Sequence, residues 1–596
     1  MRYLTTTIIY LLIVFSLKAQ SPNVLLIIID DQGYGDMSCH GNPDLPTPNI
    51  DKLYEQSTRL TDFHVSPTCS PTRAALMTGH VSNRTGVWHT IGGRSLLYEH
   101  ETTLADVFAV NGYATGMFGK WHLGDNHPFR PMDNGFEHAV YHGGGGVFQG
   151  PDLWGNDYFD DRYFVNGEVK AFSGYCTDVW FNEAMDFMEK QRRADKPFFA
   201  YLSTNSPHGP FWVEDKYSAA FKDKPNVPNA NFHGMIANLD ENMGSLLNYL
   251  DRSGLRENTL IIYMTDNGTA RGVELSKKTG LATKGFNAGM RGLKNSRYEG
   301  GHRVPFFISW PKGGIEAGRD IDQLTAHVDV LPSLIELLNL EGVDQLKFDG
   351  TSLKEILLNP AAALAKRTLI TDTQRQEYLE KWRMCAIMQD KWRLINGEEL
   401  YDLRKDPGQQ KDISKKYPEL VAELRADYEK WWASLEESSK DMATISLCHK
   451  DEASLIFVHD MHLDEGYNSV AWNQRMIREG FKSEGWFAVE AMESARYKIS
   501  LFRWTPDLGI PIQAGLPKQA AIAGTSVQEL RAGKALPIQK AGIAIAAQEM
   551  EAKVNPGDIS KSFEIQLEKG QHKLRTWFQE AEGKAFGAYY VLVEKL

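Results

Sequence analysis

The sequence predicts an α/β protein with a doubly wound, mainly parallel sheet, a small α+β subdomain and a C-terminal β-sandwich. Three observations support this prediction. Apolar runs alternate with amphipathic helical patterns over residues 22–365, which is typical of parallel strands that helices cover on both faces. Short strand-like pieces and one helix occupy residues 366–446. Alternating segments rich in aromatic and β-branched residues fill residues 447–596.

Residues 1–19 are predicted to be a secretory signal peptide that is cleaved near Ala19. Arg2 gives this segment a positive start, and residues 8–15 are apolar. The apolar run is shorter than the roughly 20 residues that span a bilayer. No cysteine directly follows it to carry a lipid anchor. We therefore expect a bacterial protein that is periplasmic or secreted, with no membrane span.

The predicted parallel sheet rests on four continuous apolar runs, at residues 24–29, 198–202, 260–264 and 306–310. Helices are expected between them. One is expected to begin at the Thr102–Thr103 cap and to end at Gly112, and another to run from about Met235 to Gly254. This alternation predicts one α/β domain over residues 22–365.

The two units that follow are predicted from shorter patterns. The small subdomain has strand-like residues 367–370, 384–388 and 392–395, and a helix near residues 419–435. The strands expected in the C-terminal unit are residues 454–458, 486–491, 497–504, 563–567, 572–578 and 589–593.

Composition and charge exclude several classes of function. The net charge is −12 and no strongly basic arm is present, so a sequence-independent grip on nucleic acid is not expected. Aromatic residues make up 11% of the chain, which excludes a disordered protein. Five cysteines in 596 residues do not form a disulfide framework.

Acidic and amide side chains follow two of the predicted strands. Asp30 and Asp31 come directly after the first apolar run, and Asp266 and Asn267 come directly after the third. Two adjacent aspartates with no other acidic group nearby are most often part of a solvated loop. Two such groups at the carboxyl ends of strands, where open α/β sheets bind ligands, instead predict an oxygen-rich site for Ca²⁺ or Mg²⁺.

Cys69 begins the run Cys-Ser-Pro-Thr-Arg-Ala-Ala-Leu-Met-Thr-Gly, residues 69–79. The run predicts a helix from near Pro71 to Gly79, with Cys69 at its N-terminus. A buried structural cysteine is the ordinary interpretation of such a residue. However, the run resembles the signature of the formylglycine-dependent type I sulfatases, which are arylsulfatase-like and have the alkaline phosphatase superfamily fold. In that family the cysteine is oxidised to Cα-formylglycine, also called 3-oxoalanine.

Further segments resemble motifs of the same family and occur in its order. They are Asp-Asp-Gln-Gly-Tyr-Gly-Asp at 30–36, Gly-Lys-Trp-His-Leu-Gly at 119–124, Pro-His-Gly-Pro at 207–210, the stretch 294–305, and Leu-Tyr-Asp-Leu at 400–403 with Asp-Pro at 406–407. The resemblance covers roughly residues 22–440, and no catalytic position departs from the family pattern.

The resemblance implies a nucleophile and a metal site. The formylglycine derived from Cys69 forms a hydrate, one hydroxyl of which binds the metal and attacks the sulfur of a sulfate ester. The implied metal is Ca²⁺, with Mg²⁺ as the alternative. Its implied ligands are Asp30, Asp31, residue 69, Asp266 and Asn267.

The resemblance also assigns roles to five basic residues. His208 is the implied proton donor to the leaving oxygen, and His122 takes a proton from the second hydroxyl so that sulfate is expelled. Arg73 steadies the formylglycine, and Lys120 and Lys294 offset the charge of the sulfuryl group. A single lysine of this kind is more often a surface charge than a catalytic residue. A single histidine is more often a loop residue whose hydrogen bonds are satisfied. A formylglycine-generating maturation enzyme is an implied partner.

Two other functions remain open. Enzymes of the same fold that carry formylglycine also include phosphonate monoester and phosphodiester hydrolases, so hydrolysis of aryl sulfate and aryl phosphodiester must be compared. A catalytically silent glycan-binding protein is the second alternative. It requires Cys69 to remain a thiol, which the mass of the intact protein reveals.

A glycine-rich insertion at residues 142–157 is the candidate substrate loop. Aromatic faces stack on sugars, and glycines allow a close approach of the backbone to a ligand. We predict a sulfated carbohydrate as substrate, an oligosaccharide from an algal or host glycan, with Phe148, Asp152 and Trp154 as candidate contacts. An ordinary surface loop is the alternative interpretation.

The C-terminal unit, residues 447–596, contains none of these motifs. We expect it to pack on the α/β domain without supplying chemistry. Tyr467 and Trp472 are candidate glycan-binding residues, although core packing is the usual role of aromatic residues. Deleting the unit is therefore expected to reduce solubility or polymer affinity more than turnover of a small aryl sulfate.

Overall fold

The computed structural model describes residues 21–343, 345–581, 583 and 585–596. The predicted signal peptide lies outside these residues. Within the described part of the chain, no helix is both long and apolar enough to cross a membrane. All five cysteines fall in this part, and all are free.

The α/β domain is built on a ten-stranded sheet. From edge to edge its strands are Asp320–Ile321, Thr58–Leu60, Phe306–Ser309, Thr259–Thr265, Asn23–Ile29, Phe198–Ser203, Ala114–Lys120, His138–His142, Arg162–Val165 and Glu168–Ala171. The five strands from Thr259–Thr265 to His138–His142 are parallel to one another. Phe306–Ser309 is antiparallel to its neighbours. The prediction of a mainly parallel sheet is therefore confirmed.

Helices cover both faces of this sheet. Along Asn23–Ile29, Val24, Leu26 and Ile28 belong to one apolar core, and the alternate residues belong to a second core on the other face. This alternation follows from the period of two in a strand and makes the sheet doubly wound. The helices of the domain are Pro48–Glu55, Cys69–Thr78, Leu104–Val110, Cys176–Arg193, Asp215–Ser218, Ala230–Ser253, Glu299–His302, Val330–Leu338 and Lys354–Leu358.

Local sequence signals explain where two of these helices begin and end. Leu104–Val110 begins after Thr103, which forms a capping box with Asp106. Thr103 is the second residue of the predicted Thr102–Thr103 cap. Ala230–Ser253 begins after Asn229, whose side chain accepts a hydrogen bond from Phe232 N, and ends at the left-handed Gly254. The predicted helix began five residues later because apolar spacing alone does not reveal the asparagine cap.

The small subdomain is a four-stranded antiparallel sheet with one long helix. Its strands run in the order Leu369–Thr371, Ala386–Gln389, Trp392–Ile395 and Glu399–Asp402. The helix Pro418–Ser434 packs on this sheet through Leu424 and Tyr428.

The C-terminal unit consists of two sheets that share one apolar core. One sheet contains Ile445–Leu447, His462–Leu463, Gly485–Ala491, Ile538–Ile545, Gln548–Lys553 and Gly570–Glu580. The other contains Ser454–Phe457, Ala495–Phe502, Ser560–Leu567 and Tyr590–Lys595. All strand pairs except Ile445–Leu447 with Gly485–Ala491 are antiparallel.

The C-terminal unit packs closely on the α/β domain. Ile91, Leu96 and Phe129 of the α/β domain belong to the core of the C-terminal unit. Backbone hydrogen bonds join the two as well, including Gly92 N to His459 O at 2.7 Å and Ser446 N to His127 O at 3.0 Å. The shared core makes the two units parts of one packed body, and residues 91–92 lie at their junction.

A buried arginine joins the small subdomain to the α/β domain. Arg393 donates to Glu299 Oε1 at 2.8 Å and to Asp62 Oδ1 at 2.7 Å, and its side chain is 1% exposed. Burial would raise the pKa of Glu299, but the charge of Arg393 lowers that pKa to about 2. The two carboxylates therefore stay ionised inside the protein as long as Arg393 is present.

Replacing Arg393 is expected to destabilise the fold strongly. Arg393→Ala leaves two buried carboxylates without their partner, and we expect a loss of about 3–5 kcal/mol in the free energy of unfolding at pH 7. Because the folded pKa of Glu299 is below its unfolded value, this stabilisation is present above about pH 4 and is lost as the pH falls toward 2. Denaturant unfolding at several pH values measures both effects.

The matched control is Arg404→Ala in the same subdomain. Arg404 pairs with Asp390 at the surface, where both side chains are more than half exposed, so we expect a change of less than about 1 kcal/mol. Equal losses in the two variants would contradict a structural role for the buried network.

Candidate active site

The candidate site lies at the carboxyl ends of the central parallel strands. Asp30 and Asp31 follow Asn23–Ile29, and Asp266 and Asn267 follow the neighbouring strand Thr259–Thr265. Lys120 ends Ala114–Lys120, two strands away. Parallel strands place all their carboxyl ends at one edge, so these side chains are brought together by the sheet itself.

Cys69 is the first residue of the helix Cys69–Thr78 and lies among these groups. Its Sγ is 3.3 Å from Asp30 Oδ1, 3.5 Å from Asn267 Oδ1 and 3.2 Å from Lys294 Nζ. The residue is 1% exposed, and burial, with Asp266 and Asp30 beside it, raises the pKa of the thiol. An unmodified Cys69 is therefore a protonated thiol at neutral pH, despite its position at a helix N-terminus.

The backbone near Asp31 helps to assemble the cluster. Asp31 has a φ of +68°, a left-handed conformation that an aspartate tolerates better than most residues. Its N–H donates to Asp266 Oδ1 at 3.0 Å, and Asn267 Nδ2 donates to Asp31 Oδ1 at 2.9 Å. These bonds tie the two strand ends to each other.

Three cations pair with the three carboxylates. Lys120 Nζ donates to Asp30 Oδ2 at 2.7 Å, and Lys294 Nζ donates to Asp31 Oδ1 at 2.5 Å. Arg73 donates to Asp266 Oδ2 from Nη2 at 2.9 Å. Arg73 and Lys120 are fully buried. They therefore contact the carboxylates and the Cys69–Thr78 helix from below and do not reach the open space above Cys69.

The pKa values show how closely these charges balance. Burial would raise the pKa of Asp31, but Lys294, His208 and Lys120 lower it well below its ordinary value. Asp266 is different, because burial and then the charge of Asp30 raise its pKa to about 6. Asp30 and Asp266 thus repel each other, which is the situation that a cation between two carboxylates relieves.

The donor set fits a hard divalent cation. Asp30, Asp31, Cys69 and Asp266 offer ligand atoms that all lie within 4.8 Å of one another, and all four residues are buried. The amide oxygen of Asn267 is 3.5 Å from Cys69 Sγ. Carboxylate and amide oxygens are the ligands of Ca²⁺ and Mg²⁺, and zinc sites instead require several cysteine or histidine ligands.

The two predicted histidines flank Cys69 and are both neutral. His122 Nε2 donates to Thr90 O at 2.9 Å, and its buried Nδ1 has no hydrogen-bond partner within the described residues. Burial lowers its pKa well below the ordinary value. His208 Nδ1 donates to Gly209 O at 2.6 Å, and burial lowers its pKa to about 3. In these tautomers His122 Nδ1 and His208 Nε2 carry lone pairs.

A glycine explains how His122 fits. A Cβ atom on Gly145 would lie 2.3 Å from two atoms of the His122 ring, closer than any side-chain carbon is found. Gly145 therefore makes room for the ring of His122. The prediction that the glycines of this run allow the backbone to approach a ligand stays a prediction.

A cavity of about 150 Å³ opens above Cys69. It is lined by Cys69, Thr90, Ile91, His122, Gln149, His208, Lys294, Asn295, Arg375 and Trp472. Cys69, His122, His208 and Lys294 are predicted site residues. Arg375 comes from the small subdomain and Trp472 from the C-terminal unit, so three parts of the chain form the walls.

The candidate substrate contacts lie elsewhere in the same loop. Phe148 and Asp152 are 4% and 2% exposed, and Phe148 packs on Trp212 with ring centroids 5.3 Å apart. Trp154 packs on Trp504 of the C-terminal unit at 5.5 Å. None of the three lines the cavity, and Gln149 is the loop residue that does. Their burial favours a role in holding the loop.

A family model described as Sulfatase matches residues 22–340. A second, described as N-sulphoglucosamine sulphohydrolase, C-terminal, matches residues 293–433. Neither model extends into the C-terminal unit.

Two curated proteins and one solved structure are representative of the similar proteins. Arylsulfatase A of Homo sapiens is 32% identical over 362 residues, which cover 57% of this chain and 68% of that protein. N-acetylgalactosamine-6-sulfatase of Canis lupus familiaris is 28% identical, and the match spans 66% of its length, slightly under two thirds. The crystal structure of Ps i-CgsB in complex with k-i-k-neocarrahexaose superposes with a TM-score of 0.61 and 27% identity, covering 69% of this chain and 93% of that chain.

Chelation is expected to remove a cation that stabilises the fold. Adding Ca²⁺ or Mg²⁺ after treatment with EDTA should raise the midpoint of thermal unfolding. When the cation is in hundredfold excess over its Kd, the free energy of unfolding should rise by about 2.7 kcal/mol. Asp266→Asn removes a charged ligand and should abolish this response.

Asp240→Asn is the matched control. Asp240 is also a buried aspartate of this domain, but it accepts hydrogen bonds from the N–H groups of residues 49 and 50, away from the cluster. This variant should keep the full response to the cation. An equal response in the parent protein and in Asp266→Asn would contradict the proposed site.

Proposed function

The chain belongs to the sulfatase family, and from this membership we propose that it is a sulfuric ester hydrolase that removes sulfate from a carbohydrate. The family model covers more than half of the chain. The observation that carries the proposal is the position of Cys69, which is buried beside Asp30, Asn267 and Lys294 at the floor of a cavity. This arrangement supports a nucleophile at residue 69 that acts on an anionic ester.

We propose that a formylglycine-generating enzyme oxidises Cys69 to Cα-formylglycine and that the hydrated aldehyde is the nucleophile. A thiol is unsuited to the task, because burial raises its pKa and a sulfated cysteine has no internal route to release sulfate. In the hydrate, one hydroxyl group loses its proton to solvent, and its oxygen bonds to sulfur while the bond from sulfur to the alcohol oxygen breaks. Loss of the proton from the other hydroxyl then restores the aldehyde as sulfate leaves, and water regenerates the hydrate.

Asp30, Asp31, Asp266 and Asn267 would hold the divalent cation beside residue 69. When bound, such a cation would acidify a nearby hydroxyl group and offset charge on the sulfuryl oxygens. Calcium suits the all-oxygen protein donors better than magnesium, which retains more water ligands.

The two histidines are positioned for different proton transfers. His122 Nδ1 is an unpartnered lone pair in the cavity wall, which suits a base that accepts the proton of the second hydroxyl. His208 Nε2 is 3.9 Å from Asp31 Oδ2. A bound sulfate ester adds negative charge here and favours the doubly protonated His208, which then donates its Nε2 proton to the leaving alcohol.

The cations of the site act at two depths. Lys294 lines the cavity and lies 3.2 Å from Cys69 Sγ, so it can contact a sulfuryl oxygen as charge develops in the transition state. Lys120 and Arg73 lie below the cavity, where they fix Asp30 and Asp266. Arg73 is also on the helix that begins with Cys69 and donates to Ser203 and to the carbonyl of Lys120, which anchors that helix to the sheet.

The proposed substrate is a sulfated oligosaccharide from an algal or host glycan. The canine relative is named for a sulfated sugar, and Ps i-CgsB was solved with k-i-k-neocarrahexaose. Export to the periplasm or the medium, directed by the predicted signal peptide, would bring the enzyme to such glycans.

Substrate preference tests this function directly. Enzyme in which residue 69 is oxidised should hydrolyse an aryl sulfate and at least one member of a panel of sulfated oligosaccharides. It should act on an aryl phosphodiester and a phosphonate monoester with a kcat/KM lower by about tenfold or more, since a site built for one anion rejects others. The reverse preference would identify a phosphodiester or phosphonate hydrolase instead. Hydrolysis of aryl sulfate alone would exclude the sulfated glycan.

The state of residue 69 tests the mechanism. The peptide that contains it should be lighter than the encoded one and should react with aldehyde-specific hydrazides. Cys69→Ala should lower kcat by roughly ten-thousandfold or more and leave the fold intact. In His122→Ala, sulfate should remain bound to residue 69 because the base that starts its release is missing. Full activity with unmodified cysteine would disprove the mechanism and leave the glycan-binding alternative for an inactive thiol form.

A further inference from the structure

Two residues that line the cavity have no role in the proposed mechanism. Arg375 belongs to the small subdomain, between Leu369–Thr371 and Ala386–Gln389, and Trp472 belongs to the C-terminal unit. Both line the cavity above Cys69, together with Asn295 and Gln149. They come from parts of the chain far apart in sequence, so only the folded structure brings them together.

Arg375 makes no ion pair within the part of the chain that the structure describes. Its Nη1 donates to Asn295 Oδ1 at 2.8 Å. The residue is exposed, and its backbone N–H is held by Trp88 O at 3.1 Å. Lys294, the other cation of the cavity lining, already pairs with Asp31. Arg375 is therefore available to an anionic group of a ligand.

The backbone of Trp472 is held at the cavity wall, and its side chain is only half-buried. Its carbonyl accepts from Gly150 N at 2.9 Å, and Gln149 and Asn473 form a β-bridge next to it. Asn473 also caps the helix Gln474–Glu479, and Gln474 N donates to Phe148 O at 3.2 Å. The side chain packs against the apolar core of the C-terminal unit and also lines the cavity, so the indole is a suitable surface for the apolar face of a sugar ring.

We propose that Trp472 and Arg375 form the sugar-recognition part of this site and that the preferred substrate carries a second anionic group. In this arrangement the sulfated ring packs on Trp472, and Arg375 binds a further sulfate or a carboxylate of the same substrate by charge-assisted hydrogen bonds. The inference rests on the proposed function and adds specificity to it. It also makes the C-terminal unit part of the binding site, because that unit supplies one wall.

The role of Arg375 is tested with disaccharides from a sulfated glycan that the parent enzyme hydrolyses. Three substrates share the cleaved sulfate and carry a hydroxyl, a second sulfate or a carboxylate as the additional group. The parent should prefer the two dianionic substrates by about tenfold or more in kcat/KM. Arg375→Ala should bring this ratio close to one, and Arg375→Lys should keep part of it.

Lys381→Ala is the control for loss of charge. Lys381 is a partly exposed cation of the same subdomain, pairs with Glu429 and does not line the cavity. This variant should keep the full ratio. A preference for only one of the two anions would identify that anion as the ligand of Arg375. No preference in the parent, or a ratio unchanged in Arg375→Ala, would overturn the proposal.

The role of Trp472 is tested by shape rather than by truncation. Trp472→Leu keeps an apolar side chain but loses the flat face, and should raise KM for the sulfated disaccharide by about tenfold. Trp472→Phe keeps a flat face and should raise KM much less. Trp577→Phe changes a tryptophan of the same C-terminal unit outside the cavity and should leave KM unchanged. Equal KM values for the Leu and Phe variants would contradict stacking.

The outcomes separate this inference from the proposed function. If parent enzyme with residue 69 oxidised hydrolyses no sulfate ester, the proposed function fails. If the parent hydrolyses the disaccharides but the Arg375 and Trp472 variants match it in anion preference and in KM, only the inference fails. Thermal unfolding of each variant identifies any loss of activity that comes from misfolding. If Arg375→Ala or Trp472→Leu is misfolded, Arg375→Lys and Trp472→Phe test the inference instead.

Discussion

The candidate site depends on six charges that are paired with one another at a largely buried position. Asp30, Asp31 and Asp266 are acceptable there only because Lys120, Lys294 and Arg73 lie within hydrogen-bond distance. The parallel sheet provides the position, since neighbouring strands end at one edge. Because each charge has a partner of opposite sign, the cluster can change its net charge when a ligand binds. A cation or an anionic ester can therefore bind without leaving a buried charge unpaired.

A second buried network supports the first from behind. Gly268 N, next to the metal-ligand candidates, donates to Gly301 O at 3.0 Å, and a Cβ on Gly268 would lie 1.8 Å from Gly300 O. The helix Glu299–His302 that carries these glycines is fixed by Arg393 of the small subdomain. The loops of the candidate site are thus held by contacts between the small subdomain and the α/β domain.

The sequence was informative wherever a local pattern determines position. Strand runs that end in Asp30 and Asp266 predict both the sheet and the meeting point of the carboxylates, and the run from Cys69 predicts a helix that the structure contains. Arg375 carries no local signal, and Trp472 is predicted only as a candidate glycan-binding residue, because their meeting in one cavity depends on how three domains pack. Phe148 and Trp154 are of types that contact sugars, but they pack against Trp212 and Trp504 and do not line the cavity, and such packing is a property of the fold.

The complete burial of the helix Cys69–Thr78 has a consequence for how the protein is made. Every residue of this helix is buried, so a modifying enzyme could not bind the segment around residue 69 in the folded protein. Under the proposed mechanism, oxidation of residue 69 would therefore compete with folding in time, and a chain that folds first would keep its thiol. The specific activity of a preparation then reports the outcome of that kinetic competition, and slower folding or translation would give a larger active fraction.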